Sequence, residues 1–367
     1  MKPATIIHVA EVALDECTGM GRVASHWKKA CESRGHRFIH IGPEQAGRLA
    51  HKALFPAQAY RAWLAMKLEA DLFLVHEPAS GAFVRRGVRT VVFSHGLERR
   101  GWELMLGGHA DRGPRPGLKT RLLFPLWRLR NCDAGLRAAD AALLINEEDR
   151  LYASRRYGLD AGRAFVFRNG VNFTDGGEIS SRKPVTALFL GSWILRKGIR
   201  TLARAAGELC RQGMRINWII AGAGVPESDV LTDWPPELHA STNTIPHFDA
   251  GDEPALLRRC DLFVLPSFFE GQPLALLQAM ESGRCCITTD CCGQKDMIRH
   301  RENGLLHEPG DADALAQLIA ESANGEALRR GIGSAARSSV RDRSWETVSA
   351  GVVRQIESVI TEGRLPA

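Results

Sequence analysis

Short apolar runs that alternate with stretches of helical periodicity constrain this chain more than any other feature, and the alternation runs through the sequence twice. Thr5 to Val9 is one such run. Val23, Ala24, Trp27, Ala30 and Cys31 then recur at helical spacing until Gly35, and Phe38 to Ile41 reads as the next strand. Leu72 to Val75, Val91 to Phe93 and Ala141 to Ile145 continue the series. The pattern restarts at Val185. Val185 to Leu190 reads as a strand, Ile199, Leu202, Ala206 and Leu209 share a helical face, and Ile216 to Ala221 and Leu262 to Leu265 are again strands. Leu274 to Glu281 reads as a helix and Cys286 to Thr289 as extended. Strands that are apolar throughout, alternating with helices, predict parallel sheets covered on both faces. The expected fold class is α/β, with two doubly wound, Rossmann-like domains facing a central cleft. The polar stretch from Asp175 to Pro184, containing Gly and Ser, is the expected linker between them.

Composition narrows what such a chain does. Its 367 residues fit two domains at about 150 residues each. A hydrophobic fraction of 44% and a charged fraction of 25% exclude a mainly disordered chain and a fibre. The 48 Lys and Arg against 42 Asp and Glu leave a net charge of +6. That is too little to diagnose nucleic-acid binding, and it suits phosphorylated ligands or an anionic membrane surface. No apolar run is long enough to span a bilayer, and Met1 to Val9 reads as a first strand rather than a signal peptide. Nine cysteines, an odd number without framework spacing, point to reduced thiols and a cytoplasmic setting.

In doubly wound folds ligands sit beyond the carboxyl ends of the strands, so the turns after the strands are where function is sought. Thr18-Gly19-Met20-Gly21-Arg22 offers two glycines and a helix N-terminus to an anion; a plain tight turn is the alternative. Ser94-His95-Gly96 places a histidine at a strand exit, either as a hydrogen-bond donor to substrate or as a satisfied structural histidine. His76 occupies a comparable position. In Gly191 to Gly198, the adjacent cations Arg196 and Lys197 stand beside a helix start and suit a diphosphate; a solvated basic turn is the alternative. The longest constellation is Pro266 to Glu281. Glu270 offers a carboxylate for sugar hydroxyls, Pro273 suits the first helical position, and Leu274 and Ala275 present bare amides to phosphate. Gln278 lies one turn further on.

Two more stretches stand out. Cys285, Cys286, Cys291 and Cys292 suggest a metal, but adjacent cysteines on a strand point to opposite faces, which favours small buried hydrophobes; no metal is expected. Arg99 to Arg130 interleaves Trp102, Arg112, Arg115, Lys119, Arg121, Leu122, Leu123, Phe124, Trp127, Arg128 and Arg130. This fits a helix lying on an anionic bilayer, or a basic solvated face on a core-packed helix. No nucleic-acid-binding module accompanies it.

Taken in order, these elements resemble the family 4 retaining glycosyltransferases (glycosyl transferases group 1), which have the GT-B fold. In the first half the resemblance rests on Gly19-Met20-Gly21-Arg22 and the strand leading to His95. In the second it rests on Asn169-Gly170-Val171, Phe189-Leu190-Gly191 with Arg196-Lys197-Gly198, and Ile219-Ile220-Ala221-Gly222-Ala223-Gly224. Cys260 to Ser267, Glu270-Gly271 with Pro273, Asn303-Gly304-Leu305-Leu306 and Ser344-Trp345-Glu346 complete it.

The resemblance implies metal-free, cofactor-free transfer of a sugar from a nucleotide donor to an acceptor hydroxyl, with retention of configuration. Residues 1–175 would form the acceptor-side domain, 176–344 the nucleotide-sugar domain, and 345–367 a helix crossing back to the first. Lys197 would neutralise the leaving diphosphate, Glu270 would contact donor-sugar hydroxyls, and His95 would touch the transferred sugar. Gly19, Gly21, Gly191, Arg196, Gly271, Gln272, Pro273, Leu274, Ala275 and Gln278 would complete the donor site. The acceptor would be a glycan or a lipid-linked molecule of bacterial surface polysaccharide or glycolipid synthesis. The enzyme would be cytoplasmic, and peripheral on the inner face of the membrane through the 99–130 segment.

Three positions depart from the family pattern. Gln278 replaces the second of two glutamates spaced eight apart, which removes charge assistance to the ribose and predicts weaker donor binding. Ser192 replaces an arginine, with Arg196 as the candidate substitute, and Cys292 stands where a glycine is usual. The alternatives are a catalytically degenerate nucleotide-sugar-binding protein and a nucleotide-sugar epimerase of the same architecture.

Overall fold

A computed structural model describes residues 2–16, 18–47, 51–84, 87–107, 115–174 and 183–362. The chain folds as two units: one holds the described residues up to Gly170 together with those from Trp345 onward, the other Val171–Ser344. The expected linker lies, from Asp175 to Arg182, outside the described residues, as does Arg112.

The first unit is built on β1 (Thr5–Val9), β2 (Arg37–Ile41), β3 (Leu72–His76), β4 (Arg89–Ser94), β5 (Ala141–Leu144) and β6 (Ala164–Val166). They form one parallel sheet in the order β2-β1-β3-β4-β5-β6. The second unit is built on β7 (Val185–Leu190), β8 (Ile216–Ala221), β9 (Thr242–Ile245), β10 (Leu262–Leu265), β11 (Cys285–Thr289) and β12 (Leu305–His307). Its sheet, also parallel, runs β12-β11-β10-β7-β8-β9. The central strands are apolar because helices cover both faces: every residue of β3, β5, β10 and β11 is buried. β6, β9 and β12 were not anticipated. Each is three or four residues long and sits at a sheet edge, where one side lacks a neighbour and the apolar demand falls.

One device sets register in both sheets. An aspartate just before an inner strand accepts a hydrogen bond from the backbone N–H of its neighbour and returns its own N–H to that residue's carbonyl. Asp71 does so with Thr5, Asp140 with Thr90 and Asp261 with Thr186, at 2.7–2.9 Å.

Thr18 caps the helix Gly19–Ser33, its hydroxyl accepting from the Gly21 N–H, and Val23, Ala24, Trp27 and Cys31 form the buried face. The helix Trp345–Glu362 belongs to this first unit. Glu357 binds Arg34 through two 2.7 Å hydrogen bonds and His36 at 3.0 Å, and Arg89 donates to the carbonyls of Val359 and Ile360.

The segment from Arg99 to Arg130 is not a single surface helix. The helix Glu98–Gly107 comes first; a second helical rod starts at Leu118, passes through a π turn at Pro125–Leu129, and continues as Arg130–Ala138. Pro125 has no N–H to give the α ladder, which accounts for the wider turn. Trp102 is buried and stacks on Phe124 at 4.7 Å. Arg99 pairs with Asp133, Arg100 with Asp149, and Arg128 with both Glu11 and Glu98. These groups face inward because buried or half-buried carboxylates claim them. Outward lie Leu118, Leu122 and Leu126, 66–74% exposed, and Leu123, 45% exposed, with Arg115, Lys119, Arg121 and Arg130.

Candidate active site

In the second unit the strand order reverses between β7 and β10, and the crevice of such a sheet opens where the loops after those two strands part. Both loops carry the expected residues. After β7, Gly191 has φ +152°, a conformation that favours glycine, and Lys197 packs beside it. Gly198 sits at φ +74°, and a Cβ there would lie 1.9 Å from the Pro266 carbonyl oxygen. The turn bearing Arg196 and Lys197 is thereby pressed against the exit of β10. Phe268 N–H donates to the Arg196 carbonyl at 2.9 Å, tying the two loops together.

Lys197 Nζ reaches Glu270 Oε1 at 2.7 Å. Arg196 Nη1 donates to the Phe269 carbonyl at 2.5 Å and lies 3.2 Å from the same Glu270 oxygen. Glu270 is buried, which by itself pushes its carboxyl up; Lys197 and Arg196 outweigh that and hold it below the usual carboxylate range. The site therefore holds an ionised glutamate and two fixed cations.

The helix Leu274–Glu281 begins immediately beyond. Leu276 and Leu277 N–H donate to the Pro273 carbonyl, so Pro273 is the cap and not the first helical residue, a shift of one from expectation. Leu274 and Ala275 N–H then have no intrahelical acceptor and sit at the positive end of the helix. Gly271 and Gln272 link Glu270 to this helix start. A Cβ on Gly293 would lie 1.4 Å from the Gly271 carbonyl oxygen, so the helix Cys292–Met297 packs directly on the Glu270–Gly271 loop. Cys292 takes φ +51°, a left-handed conformation that a glycine adopts without strain.

Gln278 Oε1 accepts the Asn172 N–H at 3.0 Å, and Glu281 accepts from Thr174 N–H and Oγ1 at 3.0 and 2.8 Å. The two side chains hold the Asn172–Thr174 segment, and Glu281 is turned to Thr174 rather than toward Glu270. Ser192 is exposed; Arg196, not Ser192, meets the carboxylate. Cys285 and Cys286 are buried on β11, while half-buried Cys291 contacts the carbonyls of Ser267 and Phe268.

In the first unit the order reverses between β1 and β3. His95, just past β4, lies against the Trp27 ring with centroids 6.3 Å apart, and Phe93 and Phe167 meet it edge-on at 5.8 and 5.5 Å. Burial lowers its pKa to about 4, so at neutral pH it is an uncharged imidazole that donates and accepts. Gly19 is exposed at the start of its helix, but Gly21 is buried: a Cβ there would meet Thr18 Oγ1 at 2.6 Å and the Asp15 and Ala13 carbonyls at 2.7 and 2.8 Å. Its missing side chain accommodates the preceding loop.

Sequence reasoning named His76 beside His95 but missed His8 and His40. His8 and His40, paired in register on β1 and β2, approach through their Nδ1 atoms at 2.8 Å, and His76 at the end of β3 lies 6.0 Å from His95. The histidines at the ends of successive strands were the available signal. Glu77, fully buried, was also missed.

The fold and the site define a two-unit enzyme class built on paired Rossmann-like sheets, and the comparisons name it. Residues 18–175 match the profile "Glycosyltransferase Family 4" and residues 176–339 the profile "Glycosyl transferases group 1". The chain belongs to glycosyltransferase family 4, with the GT-B fold. It is 27% identical over 309 residues to the amylovoran biosynthesis glycosyltransferase AmsK of Erwinia amylovora, covering 79% of this chain and 69% of that one. Matches to further relatives span about half of their length. A sucrose-phosphate synthase from Thermosynechococcus elongatus superposes with a TM-score of 0.79 at 18% identity, over 97% of this chain and 99% of that one. HepE of Anabaena, solved in complex with UDP-glucose, gives 0.70 at 18% identity, over 97% and 100%.

Proposed function

We propose that this glycosyltransferase moves a sugar from a nucleotide-sugar donor to an acceptor hydroxyl with retention of anomeric configuration and without a metal. The observation that carries the reading is the meeting of Lys197, Arg196 and Glu270 at the switch point of the second sheet, beside the N-terminus of Leu274–Glu281. Negative charge develops on the departing diphosphate, and fixed cations with a helix end stabilise it where a metal would otherwise serve. Glu270, ionised and held from one side by Lys197, accepts hydrogen bonds from donor-sugar hydroxyls. His95, as a neutral imidazole, touches the transferred sugar. The diphosphate itself takes the acceptor proton, so no protein nucleophile is required.

The donor reading draws on HepE, whose structure holds UDP-glucose. The acceptor is a glycan or lipid-linked molecule of bacterial surface polysaccharide or glycolipid assembly, a reading that the AmsK relative supports. Peripheral docking on an anionic membrane is supported by the outward leucines of 118–126 and their neighbouring cations. The test is proton NMR of the product formed from an α-linked donor, in chelator-treated buffer. The expected product is α-linked at undiminished rate; a β-linked product, or activity restored only by a divalent cation, would overturn the mechanism.

A further inference from the structure

The turn that presents His95 is held at both ends by one buried side chain. Glu77, the residue after β3, has no exposed surface. Its Oε2 accepts the Ser94 hydroxyl at 2.7 Å and the Glu98 N–H at 3.2 Å, so one oxygen brackets residues 94–98. Within the turn, Gly96 N–H donates to Ser94 Oγ at 3.3 Å and Leu97 N–H to Asp149 Oδ2 at 3.2 Å, with Gly96 at φ +134°. Oε1 of Glu77 has no hydrogen-bond partner among the described residues, and no cation there pairs with the carboxyl. The groups that face it are the carboxyls of Glu98 and Asp149, with which Arg128 and Arg100 already pair, the Cys132 thiol and Tyr157. A carboxylate in that setting would be a desolvated charge with no cation of its own, beside two carboxyls whose arginines are already engaged.

We infer that Glu77 is a positioning residue that works as a neutral carboxylic acid, pinning the Ser94–Glu98 turn so that His95 is held in place. Its role in turnover rests on the reading of His95 as a group that touches the sugar. Burial first, and Glu98 next, push the Glu77 carboxyl up from the ordinary 4.5 to about 8. The folded state therefore takes up a proton. The stabilisation is complete below pH 4.5, declines as pH rises, and is gone above about 8. Above that pH the buried charge is relieved by displacing the start of Glu98–Gly107, which carries the His95 turn with it.

The experiment compares wild type, Glu77→Gln, Glu77→Ala and His95→Ala from pH 5 to 9.5. It reads melting temperature, hydrogen exchange of the 96–98 amides, and nucleotide release from whichever of UDP-, GDP- or ADP-glucose is hydrolysed fastest. Glu77→Gln keeps the neutral acceptor. It is expected to retain wild-type release at pH 7, to gain in relative melting temperature from pH 5 to 8, and to keep its amide protection at pH 9.5. Wild-type release and protection fall about tenfold per pH unit above 8. Glu77→Ala lowers kcat at every pH with little change in donor KM. Glu77→Gln behaving like Glu77→Ala, or melting and exchange profiles of wild type and Glu77→Gln that superimpose across the range, would overturn the inference. His95→Ala with full release would instead overturn the role given to His95, while melting and exchange still decide how Glu77 holds the turn.

Discussion

Gln278 commits its side-chain oxygen to the Asn172 N–H, which turns its amide nitrogen the other way. A ligand hydroxyl meeting that nitrogen accepts a neutral hydrogen bond. A glutamate would accept from Asn172 just as well and offer an ionised oxygen, a difference of about 1 kcal/mol. Gln278→Glu is therefore expected to tighten donor binding by about fivefold with the fold intact. Isothermal titration with the donor nucleotide checks it, and an unchanged or weaker dissociation constant would count against a ribose role at this position. At this scale the site was legible where chemistry follows directly on a strand end. Lys197, Arg196 and Glu270 could be picked out because two loops after strands carry adjacent cations and a carboxylate, and the three side chains do meet. Glu77 was not, because nothing local says that the residue after β3 reaches across to Ser94 and Glu98. That contact exists only once β3 and β4 lie side by side.

Among the elements, the helical rod from Leu118 separates two roles that the sequence ran together. Cations and aromatics interleave all along 99–130, and only burial tells which of them are bound internally. Arg99, Arg100 and Arg128 meet carboxylates, and Trp102 is buried against Phe124. Leu118, Leu122 and Leu126, four residues apart, stay outside. Burying a leucine is worth about 2 kcal/mol, and each nearby cation adds about 1 kcal/mol at an anionic surface. Replacing the three leucines by serine is expected to abolish sedimentation with phosphatidylglycerol vesicles. Nucleotide release in the absence of lipid should be unchanged. Equal sedimentation of the triple variant would place the docking surface elsewhere. The inner strands were legible because burial on both faces makes them continuously apolar; the edge strand β2 was also read, but β6, β9 and β12, at the other edges, escaped because an edge strand need not be so.

Across the whole molecule, each unit repeats one plan: a six-stranded parallel sheet with a reversal in strand order and its polar residues collected where the strands end. The alternation of strand and helix signals made this plan readable, since it needs only local periodicity. Which residues of one strand end meet those of the next depends on register, and register is set by contacts such as those of Asp71, Asp140 and Asp261 that span long stretches of chain. The proposed function stands or falls with nucleotide-sugar binding and cleavage at Lys197 and Glu270. The most direct test is nucleotide release from a panel of UDP-, GDP- and ADP-sugars, with wild type beside Glu270→Ala. Release from one donor class is expected, with a loss of at least about a hundredfold in the variant. Release that survives in Glu270→Ala, or no release together with no thermal shift by any nucleotide, would contradict it.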